Sequence, residues 1–167
     1  MGKASKNWPW DDVRKAWPKK LKAERLIFQE IDPGDRIFIG TGCGEPQHLV
    51  QELLNYIDKN PKAFIDNELV NIVILGVAPY TDEKFKDNFR LKSFFIGNAV
   101  RRAVNIGAAD YTPIFLSAVP DLIHTERIRI DAALIQATPP DENGEMNLGI
   151  SVDIAKAVIK EANLVVA

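Results

Sequence analysis

Cysteine is almost missing from this chain: one thiol, Cys43, in 167 residues. A single cysteine excludes an intramolecular disulfide framework and a cysteine-only zinc site. Histidine is nearly as scarce. The two present, His48 and His124, stand too far apart to suggest a zinc cluster. No apolar run approaches the ~18 residues that a bilayer span needs. The opening stretch MGKASKNWPW has no apolar segment of the secretory kind. These absences make a reducing cytoplasm the expected compartment. An excess of one charge is lacking too: 21 Lys and Arg stand against 23 Asp and Glu, for a formal net charge of -2. With a pI of about 5.7, the chain is not a strongly basic nucleic-acid binder. The expectation is therefore no nucleic acid, no membrane and no metal.

What remains is ordinary for a folded domain. Hydrophobic residues make up 46% and charged residues 26%, which fits a globular chain with a real core. The length suits one domain. One local excess of charge occurs in residues 1–25, where Lys3, Lys6, Arg14, Lys15, Lys19, Lys20, Lys22 and Arg25 outnumber Asp11, Asp12 and Glu24. An anionic partner could use such a stretch. The simpler reading is a helical arm docked by Val13, Trp17, Leu21 and Leu26, with its lysines solvated.

Beyond the arm, short apolar strands alternate with helices. Residues 24–30 read as helix and 32–35 as a turn. Arg36 to Ile39 is a strand that runs straight into Gly40-Thr41-Gly42-Cys43-Gly44-Glu45-Pro46. Pro46 suits the first turn of a helix, and Leu49, Val50, Leu53, Leu54 and Ile57 give it one apolar face. Residues 69–77 read as a strand buried on both sides, 78–90 as a polar loop, and 91–96 as the next strand. A helix follows from Gly97-Asn98, with Ala99, Val100, Ala103, Val104 and Ile106 inward. Residues 108–113 read as loop, 114–116 as a short apolar stretch, and 120–122 as a helical turn. Residues 130–136 form a strand, 138–148 a long turn-rich loop, and 152–162 a helix with Ser151 as N-cap. Residues 164–167 start another strand, so the chain looks cut at its C-terminal end. The pattern predicts an α/β fold: an open, mostly parallel sheet with helices on both faces.

In such sheets ligands bind beyond the carboxyl ends of the strands, which directs attention to the loops at 40–46, 78–80, 97–102, 108–113 and 138–149. The first resembles a dinucleotide fingerprint but carries Glu45 where the third glycine belongs, and it lacks the lysine of a Walker loop. It remains a loop whose backbone can approach a ligand closely and whose helix N-terminus favours an anion. Cys43, near that N-terminus, is either a nucleophile or a small loop residue. His48 sits a turn and a half into the helix and points away from the loop, which leaves Cys43 without an orienting base. Arg101 or Arg102 can pair with an anion or with Asp110, or can stay solvated. Asp110, Asp141 and Glu142 are either general bases or turn residues.

Three segments carry a resemblance: RIFIGTGCGEPQHL at 36–49, NAVRRAVNIGAADYTPIFLSAVP at 98–120, and DAALIQATPPDENGEMNLGISVD at 131–153. They resemble the N-terminal half of the acetyl-CoA hydrolase/CoA-transferase family, the group that includes 4-hydroxybutyrate CoA-transferase. The shared pattern is a glycine-rich turn ending Gly-x-Pro, then Ala-Asp-Tyr-x-Pro before Val-Pro, then Pro-Pro-Asp-x-x-Gly and Leu-Gly-x-Ser-Val-Asp. The order and spacing match over most of residues 20–167.

The resemblance implies a two-domain, homo-oligomeric enzyme with its active site between the halves. Residues 1–25 would be the arm and residues 26–167 the N-terminal CoA-transferase domain. It implies a coenzyme A thioester as substrate, a carboxylate as acceptor and no permanently bound cofactor. It also implies a relay through a glutamyl-CoA thioester, whose glutamate lies in the C-terminal half. No glutamate of this chain matches that nucleophile, including Glu45, Glu142 and Glu145. The isolated chain is expected to be inactive, and to self-associate through the face its other half would cover. The expected wall of the acyl pocket comprises Gly40, Thr41, Gly42, Cys43, Gly44, Pro46, Asn98, Tyr111, Pro139, Pro140 and Gly144. Two other readings remain: a non-catalytic binding or assembly module of the same fold, and a nucleotide-binding Rossmann-like domain.

Overall fold

The computed structural model describes residues 10–75 and 78–167. Six parallel strands form one sheet in the order β4-β3-β2-β1-β5-β6. They are β1 (Arg36–Ile39), β2 (Asn67–Asn71), β3 (Phe89–Ser93), β4 (Ala109–Tyr111), β5 (Ala132–Leu134) and β6 (Leu164–Val166). The helices are α1 (Trp10–Ala16), α2 (Glu24–Phe28), α3 (Gln47–Lys59), α4 (Asn98–Asn105), α5 (Val119–His124) and α6 (Ala155–Glu161). Among the described residues, no helix is long and apolar enough to cross a membrane.

The two faces of the sheet follow from the period-two alternation of its strands. Ile37, Ile39, Leu69, Leu91, Ala132 and Leu134 point into one core with Phe28, Val50, Leu53, Leu54, Ile57, Val100 and Ala103 of α2, α3 and α4. Phe38, Val70 and Ala133 point into the other, with Val119 and Ile123 of α5 and Val158 of α6. Helices therefore cover both faces, as the alternation of elements predicts. Helix α3 buries Val50, Leu53, Leu54 and Ile57, the i, i+3, i+4, i+7 stripe of its sequence. Helix α4 closes with Gly107 at φ +76°, and the Ala108 N–H donates to the Ala103 carbonyl at 2.8 Å, so the last turn is capped.

Buried asparagines fasten the other end of the sheet. The Asn67 amide donates to the Asp32 carbonyl at 2.8 Å and the Asp35 carbonyl at 3.2 Å. The Asn88 amide donates to the Pro61 and Phe64 carbonyls at 2.9 and 2.7 Å. On the second face, the N-terminal parts of β1 to β4 are charged instead of apolar. Arg36 pairs with Glu68, Lys92 reaches Glu68 at 3.3 Å, and Arg90 binds Asp110 through two bonds of 2.7 and 3.0 Å. The Arg90 guanidinium holds the Asp110 carboxyl below the usual carboxylate range.

Several boundaries differ from the sequence reading. Strand β2 ends at Asn71 instead of continuing to 77, because the Val73 carbonyl accepts the Gly42 N–H at 2.9 Å and so leaves the ladder. Residues 76 and 77 of that run lie outside the described residues. Strand β3 begins at Phe89, two residues early, since exposed Arg90 belongs to the charged face. Residues 109–111, read as loop, form the edge strand β4 against residues 91–93. Asp110 pairs with Arg90, not with Arg101 or Arg102. Ser151 is not the N-cap of the last helix. Asp153 lies at φ +44°, which no helix tolerates, so α6 starts at Ala155 after Ile154. Ile106, assigned to an apolar face, is 66% exposed, because α4 has ended by that point.

The arm is helical over Trp10–Ala16 and buries Val13; residues 1–9 lie outside the described residues. Leu21 and Leu26 do not dock: they are 38% and 45% exposed. Replacing a buried leucine should therefore differ sharply from replacing an exposed one. Leu53→Ala is expected to destabilise the fold by about 3 kcal/mol, and Leu26→Ala by less than ~1 kcal/mol, in urea unfolding followed by circular dichroism. Equal losses would show that Leu26 is packed in solution.

Candidate functional site

The winding of the sheet reverses once. The chain steps outward from β1 to β4, returns to lay β5 beside β1, and steps outward again to β6. The loops that leave β1 and β5 therefore diverge at the reversal point, where open parallel sheets bind ligands. The loop leaving β1 is the glycine loop. It holds a single helical turn at Gly42–Gly44 and feeds α3 through Pro46.

This loop admits little besides glycine. A Cβ on Gly40 would lie 2.4 Å from the Gly44 carbonyl oxygen, and one on Gly44 would lie 2.8 Å from the Ser151 carbonyl oxygen. Gly42 has φ +59°, and a Cβ there would meet Ser151 Oγ at 3.0 Å. Gly40 thus approaches Gly44 of its own loop, and Gly42 and Gly44 approach Ser151. Buried Thr41 completes the contact: its Oγ1 donates to Asp153 Oδ2 at 2.7 Å. The Gly-Thr-Gly-Cys-Gly motif and the Ser-Val-Asp motif, 112 positions apart at that bond, form one surface.

A cavity flanks this junction on each side. The first, of about 530 Å³, has Cys43, Glu45, Pro46, His48, Ile135 and Gln136 among its lining residues. Glu45 is only 8% exposed, and burial pushes its carboxyl above the ordinary carboxylate range. Burial also pushes the Tyr80 phenol up, and the charge of Glu45 adds to that shift. Cys43 is exposed. His48 Nε2 lies 3.3 Å from Glu24 Oε1, so its ring faces α2 and not the thiol. That contact and a backbone hydrogen bond hold the Glu24 carboxyl low, the backbone bond contributing more. The second cavity, of about 400 Å³, lies beyond β2, β3 and β4 and is apolar apart from Asp153.

The other expected pocket residues sit at varied distances from the junction. Asn98 opens α4 and is exposed, and Tyr111 ends β4 at 43% exposure. Pro139, Pro140 and Gly144 belong to a self-closed turn, in which Asp141 Oδ1 accepts the Asn143 and Glu145 N–H groups at 2.9 Å. The position of a Cβ on Gly144 is 3.1 Å from the Trp17 ring, so this turn rests on the N-terminal arm. No cavity described above is lined by these five residues. Sequence reasoning missed Asp153, Ser151 and Glu45 as members of the junction. It also missed the apolar walls at 72–73, 94–95 and 114–116.

Comparison with known proteins gives a consistent result. The family model for the acetyl-CoA hydrolase/transferase N-terminal domain matches residues 5–167. A 4-hydroxybutyrate coenzyme A transferase of Clostridium kluyveri is 37% identical over 158 residues, which cover 95% of this chain and 35% of that protein. A succinyl-CoA:acetate/propanoyl-CoA:succinate CoA transferase of Fasciola hepatica is 38% identical over 160 residues, 95% of this chain and 32% of that one. Among solved structures, RipA from Yersinia pestis superposes with a TM-score of 0.77 at 20% identity, over 92% of this chain and 37% of RipA. A 4-hydroxybutyrate CoA-transferase from Porphyromonas gingivalis superposes with a TM-score of 0.67 at 16% identity, over 94% and 34% of the two chains. The chain spans about a third of the length of the curated relatives it matches.

Two outcomes test the junction. Gly44→Ala should destabilise the fold by about 1–3 kcal/mol and speed amide exchange at Asp153, because the Ser151 carbonyl must retreat. Gly34→Ala, with open space around it, should cost about 1 kcal/mol for its positive φ alone and leave that exchange unchanged. Glu45 sets the second outcome. Its raised folded-state pKa contributes stability that is present below the unfolded value of 4.5 and is lost as pH rises through the folded value. Glu45→Gln should therefore raise the melting temperature near pH 8 and leave it unchanged near pH 4. A variant that melts no higher near pH 8 would show that the carboxylate is solvated.

Proposed function

From the premise that the chain belongs to the acetyl-CoA hydrolase/transferase family, as its N-terminal domain, we propose that it forms one wall of the active site of a CoA-transferase. The whole protein would move CoA from an acyl-CoA to a carboxylic acid, and water in place of the acid would give hydrolysis. The match of the family model to residues 5–167 carries this reading. The expected chemistry is a carboxylate relay, which divides one difficult exchange into easier steps. A glutamate carboxylate attacks the thioester carbonyl carbon, the C–S bond breaks, and CoA leaves as thiolate. The thiolate then attacks the glutamyl carbonyl, releases the first acid, and forms the glutamyl thioester that an acceptor carboxylate resolves. That glutamate would come from the part of the family fold beyond this domain.

Within this reading the residues of the junction bind and orient substrate. The backbone of residues 40–44, whose glycines pack without Cβ atoms against Gly44 and Ser151, fixes the loop that would face the reacting end of the thioester. Helix α3 aims its N-terminus at the same place, and its partial positive charge favours developing negative charge. A nucleotide-binding role fits less well, since buried Glu45 occupies the place a third glycine would need beside a pyrophosphate.

The purified chain should release no thiol from acetyl-CoA or butyryl-CoA above the uncatalysed rate, as followed by a thiol reagent. Turnover that Cys43→Ser abolishes would overturn the relay and make the cysteine the nucleophile.

A further inference from the structure

We propose that Cys43 is a site of reversible thiol modification. The cavity of about 530 Å³ beside the glycine loop accepts small thiols that carry an amide N–H two carbons from the sulfur, joined to Cys43 as a mixed disulfide and bonded through that N–H to Glu45. The proposal stands independently of the CoA-transferase reading.

Access is the first argument. Cys43 is the one thiol of the chain, and it is exposed. Its neighbours Gly42 and Gly44 carry no side chain, so nothing adjacent in sequence shields the sulfur. The residue sits in the short turn that precedes α3, and it lines the cavity. Ile27, Leu49 and Ile135 supply apolar wall suited to an aliphatic chain. The volume falls within the ~300–1,000 Å³ of small-molecule sites.

An unanswered carboxyl is the second argument. Besides Cys43, the ionisable side chains that line the cavity are Lys22, Glu24, Glu45 and His48. Lys22 pairs with Glu30, and Glu24 pairs with His48 at 3.3 Å. Glu45 is more than nine-tenths buried, at 8% exposure, and its carboxyl accepts no hydrogen bond among the described residues. A buried acceptor in that state gains from an N–H that enters with a ligand. Glu45 follows Cys43 by two positions in the same loop, so a chain anchored on the sulfur starts in its vicinity.

Glutathione and CoA share the required group: in each, an amide nitrogen follows the sulfur after two carbon atoms. The step is exchange with the disulfide of such a thiol. The Cys43 thiolate attacks one sulfur, the new S–S bond forms as the old one breaks, and the second sulfur leaves as thiolate. That thiolate takes up the proton that the Cys43 thiol gave up. One protein thiol and one small disulfide thus yield one mixed disulfide and one free thiol, and excess free thiol reverses the step. The His48 ring faces α2, so the exchange runs on access to the sulfur and not on a neighbouring base.

The test follows adduct formation on this chain by intact-protein mass spectrometry with three anionic disulfides. They are oxidised glutathione, CoA disulfide, and the disulfide of 2-sulfanylethanesulfonate, which has no N–H donor. Each rate is divided by that of a peptide with the sequence of residues 40–46, which removes intrinsic reactivity. Both amide-bearing disulfides should exceed the sulfonate by about tenfold, the worth of one hydrogen bond to a carboxyl group, and dithiothreitol should reverse the adducts. Glu45→Met keeps the length of the side chain and removes the acceptor. It should cut the preference to about threefold or less while melting no lower than the parent chain. Selectivity for only one of the two amide-bearing disulfides would overturn recognition of the shared amide. Equal normalised rates for all three, reaction slower than the peptide with all three, or a preference that survives in Glu45→Met would each overturn the site. None of these outcomes bears on the CoA-transferase reading.

Discussion

Everything at the strand ends depends on where the chain turns back. By placing β5 beside β1, and not beyond β4, the fold pairs the central strand on both edges and brings residues distant in sequence to one point. The loop that leaves β1 must then clear both its own turn and the segment returning after β5. Backbone without Cβ is what permits that clearance, and it is needed at Gly40 and Gly44, where a methyl would meet carbonyl oxygens. The glycine loop is thus first a packing solution at the reversal point.

The junction also sets how charge is distributed around the site. Thr41 is buried and donates its hydroxyl hydrogen bond to Asp153, which fixes the position of that carboxyl on one side of the loop. Glu45, buried on the other side, is held above the ordinary carboxylate range because it has lost water without gaining a partner. Two carboxyls therefore sit in unlike surroundings within one loop and its contact. Asp153 is held in place by a hydrogen bond, and Glu45 is pushed toward neutrality by its burial.

Much of this architecture was legible in the chain itself, and the exceptions share a cause. Strand β1 and helix α3 announced themselves through Ile37-Phe38-Ile39 and the Val50, Leu53, Leu54, Ile57 stripe, because each is packed by apolar groups whose period is readable. The edge strand β4 was hidden, since Ala-Asp-Tyr carries its exposed charge in the middle of three residues. The run at 72–74 misled in the opposite sense: its apolar residues line cavity and core after the ladder has ended, so hydrophobicity there does not mark a strand. At the site, the glycine loop was recognisable and its partner was not. Ser151-Val152-Asp153 before an apolar helix has the composition of an N-cap, and nothing local reveals that Asp153 is left-handed and bonded to Thr41. That contact is made by topology, which a single sequence does not display.

The charged ladder across β1 to β4 has a further consequence. Arg36, Glu68, Lys92, Arg90 and Asp110 satisfy one another along the sheet, so this face offers an approaching surface few unanswered charges. Any body settling there would have to dismantle pairs already made before gaining new ones. The strand-end rim is the reverse, with Leu75, Phe95, Phe115 and Ile150 between 57% and 94% exposed and no such pairs to undo. The domain therefore presents two unlike surfaces, one whose charges are already matched and one of uncovered apolar side chains.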